Sequence, residues 1–274
     1  MNLLEARVAL RPRAVSDILD LSGPFCMVHR RLLAPLALLT TAAGGLLALV
    51  CRRWLGWSWA TTWMAVAVTL LVANGLFTQA VGELLFGAPE DLRVLGIART
   101  FARRLLPFLA ARTIQLLALG ACALVVVPLP IFAARLFFVS EVVLLESGAP
   151  VASLARSSRL VLYRSLPCLG LALACACAPF LGAMAADWIG DTVVNTVFQM
   201  GQPFGSLWSD GGSAYAVAGA LLSAPFVASA SFLGYIDLRT RKEGWDIQLR
   251  LAALADSEDR LRVRRQDLHG KVAP

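Results

Sequence analysis

The residues best suited to chemistry are few, and their spacing does not suit catalysis. Histidine occurs only at His29 and His269. Both lie outside the long apolar segments, so a Ser/His/Asp relay or a His-based metal site among those segments is excluded. No HExxH, P-loop or GxGxxG string is present. His29-Arg30 would need a carboxylate cluster to act as a catalytic dipeptide. Cys175 and Cys177 are two apart, which is neither a zinc spacing nor a redox CxxC. The cysteines read as small packing residues, and no metal or cofactor is expected.

The remaining candidates are charges inside apolar runs, which are costly there and mark function or pairing. They are Arg112, Arg135, Glu141 and Glu146, with Glu83 at the end of a run. Proline breaks helices, so Pro128-Leu129-Pro130 predicts a tight turn. Arg112 and Glu146 are equally far from Leu129, and Glu141 is about one turn deeper. This spacing predicts a structural pair between Arg112 and Glu146 or Glu141. Arg135 is expected to snorkel outward, and Asn74 and Gln79 to bond between helices.

These residues need apolar elements to hold them, and composition supplies those. The chain has 274 residues, 58% hydrophobic and only 16% charged, with a mean hydropathy of +0.69. Soluble domains carry about 25% charged residues. A disordered chain is excluded and the composition weighs against an ordinary soluble enzyme; the pattern is that of an all-α integral membrane protein. Six apolar segments have lengths near the ~20 residues that cross a bilayer: about Leu33–Val50, Ala60–Gly82, Leu106–Val127, Ile131–Leu145, Leu166–Ala186 and Ala214–Tyr235. Leu33–Val50 reads as a retained anchor rather than a signal peptide.

The net charge of +7 is not a nucleic-acid signal, because basic residues collect on the cytoplasmic side of membrane proteins. Twenty-one basic residues fall on one side of the six segments, against Arg52 and Arg53 on the other. This predicts both termini in the cytoplasm. Three domains follow: an N-terminal arm over 1–32, a six-span body over 33–236, and a basic C-terminal arm over 237–274.

An internal pattern recurs three times, in which an amphipathic, Arg-bearing stretch precedes each odd-numbered span. The first carries Val15, Ile18, Leu19 and Phe25, with Gly23-Pro24 expected to kink or break it. The second carries Leu92, Leu95, Ala98, Phe101 and Leu105. The third carries Val151, Leu154, Ser158, Val161 and Leu162. Each is expected to be an interfacial helix, so the fold becomes three hairpins, each preceded by such a helix. Spans five and six carry small residues every fourth position, Gly170 to Ala186 and Ala216 to Ala228, which predicts close packing through those faces. The loop 187–213, with Trp188 and Trp208, is expected to pack at the opposite interface.

The most distinctive string follows span six: Tyr235, Asp237, Arg239 and Arg241 at alternating positions, then Glu243, Gly244 and Asp246. Asp237, Arg239, Arg241, Glu243 and Asp246 mix both signs where a helix leaves the membrane, which predicts a salt-bridged collar with the arginines of the interfacial helices. The string resembles the exit motif of the bacterial membrane domain associated with glycerophosphoryl diester phosphodiesterases, in its free-standing multi-span form. Arg11-Pro12-Arg13 through Asp20 and Ser153 through Leu160 are similar to two other segments of that family. The resemblance implies a bacterial inner-membrane domain without catalysis. The catalytic barrel would need a further soluble domain, and the residues after Asp246 are too few for one. Beyond the motif, Arg260, Arg262, Arg264 and Arg265 are expected to meet anionic lipid headgroups. The function expected is a non-catalytic scaffold or accessory subunit acting with a protein partner at the cytoplasmic face. The alternative is a transporter or lipid-handling protein using the polar groups of spans two to four.

Overall fold

The computed structural model describes residues 13–86, 94–146, 148–200 and 203–243. Among them regular structure is entirely helical. Five helices are long and apolar enough to cross a membrane. In chain order the elements are α1 (Val15–Val28), α2 (Arg30–Arg53), α3 (Trp59–Phe86), α4 (Val94–Ala123), α5 (Leu129–Arg135), α6 (Val139–Glu146), α7 (Pro150–Val161), α8 (Ser165–Asp191), α9 (Leu207–Asp210), α10 (Ala214–Leu222) and α11 (Ala224–Glu243). A π-helical turn, Thr192–Val197, extends α8.

The boundaries follow local chemistry. Pro130 and Pro150 stand in the first turns of α5 and α7, where a missing amide proton costs nothing. Ser206 and Ser213 cap α9 and α10 through their hydroxyls. Gly211 ends α9 with φ of +78°, a conformation that glycine adopts without strain. Pro35, Pro107 and Pro179 lie inside α2, α4 and α8 without ending them, as membrane helices tolerate.

α10 and α11 form one axis interrupted at Ser223. α8 and α2 flank its first half; α3, α1 and α8 flank its second. Gly44 lies against Leu221, and Gly82 against Phe232, so α2 and α3 follow this axis. The main core gathers Phe77, Val81, Ala228, Phe232 and Tyr235, all essentially inaccessible. A second cluster joins α4 to α6 around Phe108 and Val143. Gly75 makes room there, since a Cβ on it would sit 2.6 Å from the Phe108 ring.

Three sequence expectations change in the structure. α1 runs unbroken through Gly23-Pro24. Its buried face, Ile18, Ser22 and Phe25, holds it, and Ser22 donates to the Ile18 carbonyl at 2.7 Å. It also leans along α11, from an Arg13–Asp237 contact to a Cys26–Ser229 contact. The second amphipathic stretch is not a separate helix but the first half of α4. The segment Ile131–Leu145 is not one helix; α5 and α6 are divided at residues 136–138. The apolar loop before α5 holds Val126 at φ of +63°, a strained conformation for a β-branched residue.

The small-residue faces are half as expected. Gly182 lies against Gly219, where a Cβ would be 2.6 Å from the Gly219 carbonyl oxygen. Ala216, Ala220, Ala224 and Ala228 are all buried. Gly170, however, meets open space, so the contact belongs to the half of α8 nearest α10.

Candidate functional site: the charged collar at the foot of α11

The described part of the exit motif, from Tyr235 to Glu243, sits on the last turns of α11. Side chains four residues apart share a helix face, while those two apart point to nearly opposite faces. Alternation along the motif therefore makes two faces, and each has its own partners.

The first face carries Tyr235 and Arg239. The Tyr235 hydroxyl donates to Glu146 Oε1 at 2.6 Å, and Arg239 Nη1 lies 3.4 Å from the same oxygen. Arg239 also donates to the Tyr235 hydroxyl at 3.1 Å. Arg156 of α7 donates to the other side of the carboxylate, Nε to Oε2 at 3.1 Å. Glu146, the last residue of α6, thus joins three helices.

The second face carries Asp237 and Arg241, which pair at 3.0 Å. Asp237 accepts the Arg13 amide at 2.6 Å, and Arg241 Nη2 donates back to the Arg13 carbonyl at 2.7 Å. The next residue, Lys242, donates to the carbonyl of Arg159 in α7. The chain entering α1 is thereby tied to the end of α11. Charge-assisted hydrogen bonds contribute about 1.5–3 kcal/mol each, offset in part by desolvation of groups this deeply placed.

Above the collar lies a polar layer around the break between α5 and α6. Gln115 donates from Nε2 to the Leu136 carbonyl at 2.9 Å, and Ser157 to the Arg135 carbonyl at 2.8 Å. Arg104 donates to the Leu144 carbonyl. These side chains occupy backbone acceptors that a broken helix leaves open, a requirement that lipid makes strict. Glu141 is buried, with one oxygen accepting from Ser231 at 2.6 Å. Its other oxygen has no hydrogen-bond partner.

Arg112 and Glu141 attract each other through the buried interior, but among the described residues no ion pair within 4.0 Å joins Arg112 to Glu141 or Glu146; Arg112 donates to Gln115 at 2.8 Å. Equal distance from a turn fixes depth only if both strands of the hairpin are straight helices. The break at 136–138 re-phases everything after it and turns Glu146 toward α7 and α11. Gln79 bonds within its own helix, to Glu83 at 2.9 Å, rather than across helices. Asp187 is buried and anchors the loop 187–213 by accepting from Ser213 and from the Leu207 amide. Glu146's true partners were within reach of the motif. Gln115, Ser157 and Ser231 had no sequence signal beyond being polar residues in or beside apolar runs.

The side chain of Glu243, together with Gly244, Asp246, Arg260, Arg262, Arg264 and Arg265, lies outside the described residues. Among the described residues no group of three or more His, Cys, Asp or Glu could hold a metal ion. Outside the spans, burial raises the Cys26 thiol from its ordinary pKa, against a smaller lowering by Ser229. No family model, curated protein or solved structure matches the chain.

Proposed function

We propose that the chain is a non-catalytic scaffold or accessory subunit of a bacterial inner membrane, which offers its C-terminal arm to a protein partner at the cytoplasmic face. The observation that carries this reading is the collar. Glu146 and Asp237 tie α11 to α6, to α7 and to the start of α1, so the arm leaves from a braced platform. In spans two to four, Gln115 serves the Leu136 carbonyl, and Arg112 and Gln79 bond to neighbours on their own helices, which favours a structural role; the unpartnered buried atoms of Asn74, Ser140 and Glu141 are what a passage would use instead.

Six crossings belong to the same proposal, with α5 and α6 together making the fourth. The contact between Arg13 and Asp237 supports an even number of crossings between them, which the five long helices alone would not give. Contacts also step back along α4, Gln115 then Arg104, as they step forward from Leu136 to Leu144. That is the register of an antiparallel hairpin. The excess of basic residues on the collar side supports a cytoplasmic collar. The exit motif's resemblance supports membership of the phosphodiesterase-associated membrane domain family.

In-cell photo-crosslinking tests the function. A crosslinker placed in residues 248–258 of the full chain is expected to give discrete adducts. Arg239→Gln should weaken them, while Arg53→Gln, at the far end, should not. A smear without discrete adducts, or adducts indifferent to Arg239→Gln in a folded variant, overturns the scaffold reading.

A further inference from the structure

Beside the collar, between α1, α8 and α11, a crevice of about 510 Å³ opens, within the ~300–1,000 Å³ typical of small-molecule sites. Its rim carries Arg13, Arg164, Arg241 and Asp237. Asp237 is already taken by Arg241 and by the Arg13 amide, so the rim keeps an excess of positive charge. The Arg164 guanidinium is exposed and makes no ion pair or hydrogen bond among the described residues. The floor is apolar: the half-buried Val15 and the exposed Pro167 lie with the buried Ile18, Phe138 and Leu171. Leu171 and Phe138 lie against Gly234 of α11, so the floor runs in among the membrane-crossing helices.

We propose that this crevice is a binding site for an anionic membrane lipid, with its headgroup phosphate at Arg164 and an acyl chain along the apolar lining at Val15 and Pro167. A soluble anion would use the rim and leave the apolar floor empty. A zwitterionic lipid would use the floor but gain little from a rim of net positive charge. The proposal is independent of the scaffold reading, since it needs no protein partner.

Native mass spectrometry of the full chain, extracted in mild detergent and supplied with equimolar phosphatidylglycerol and phosphatidylcholine, is the test. The expected result is preferential retention of phosphatidylglycerol. Arg164→Gln should lower that retention about fivefold, the factor that accompanies one basic residue at an anionic surface. Arg164→Lys should retain most of it. Arg53→Gln, in a separate crevice lined by residues of α2 and α10, should leave it unchanged. Because Arg164 is exposed and unpaired, these variants should melt like the wild type, so failure to fold would not confuse the result. Equal retention of the two lipids, or preference untouched by Arg164→Gln, overturns the proposal. Displacement of the lipid by inorganic phosphate at the same concentration overturns it as well, by assigning the rim to a soluble anion.

Discussion

The α10–α11 axis and α4 are both apolar enough to cross a bilayer, yet 67% of the most apolar window is buried in the first and 17% in the second. Hydropathy does not separate them, but residue size does. α10 and the start of α11 present Ala216, Gly219, Ala220, Ala224 and Ala228, while α4 presents Ile114, Leu116 and Leu117 outward. Lipid tails are as apolar as leucine, so large side chains gain nothing by leaving them. Small residues let backbones approach, and the helix that carries them becomes the centre. The same axis then carries the collar beyond its apolar part.

This contrast is most easily broken at the backbone contact between α8 and α10. Gly219→Val drives a side chain into the Gly182 backbone, where no flexible group can yield. Overpacking of this kind costs about 3 kcal/mol, and the variant should show strongly reduced folded yield and a lower melting temperature in detergent. Gly120 of α4 has nothing within reach, and Gly120→Val should melt like the wild type.

The collar gives a smaller effect. Glu146→Gln keeps the shape but removes the charge that Arg156 and Arg239 share. A loss of about 2 kcal/mol is expected, measured by thermal melting at low salt. Raising the salt should narrow the gap only modestly, since partly buried pairs are screened less than exposed ones.

The smallest effect separates the helix break from the lipid-facing side of α4. Gln115→Leu leaves the Leu136 carbonyl without its side-chain donor and should cost about 1 kcal/mol. Two residues on, Leu117 is 69% exposed, and Leu117→Ala should stay within about 0.5 kcal/mol. Equal effects at the two positions would remove the distinction between a structural and a lipid-facing side of α4.

These expectations also mark what the sequence made legible. The five long helices were readable from apolar length, and the collar from mixed charge on a helix leaving the membrane. Both depend on local periodicity. Arg112 does not meet Glu146, because sequence distance from a turn reports depth and not which way a helix face points. The break at 136–138 was invisible because it contains no glycine or proline; Gln115 and Ser157, distant in sequence, satisfy its carbonyls. The first half of α4 looked like a separate helix because its amphipathic pattern changes at Leu106. Arg104 instead bonds to Leu144 of α6, and the helix continues.

The central claim is that the two ends of the described chain meet on one face, around α11. Side-selective labelling with a membrane-impermeant maleimide tests it directly. Cysteines would be introduced singly at Ser16 and Glu243, and at Ser209 in α9. The expected result is that Ser16→Cys and Glu243→Cys label from the same side of sealed vesicles, and Ser209→Cys only from the other. Labelling of the first two from opposite sides would contradict the paired ends, the even number of crossings and the collar together.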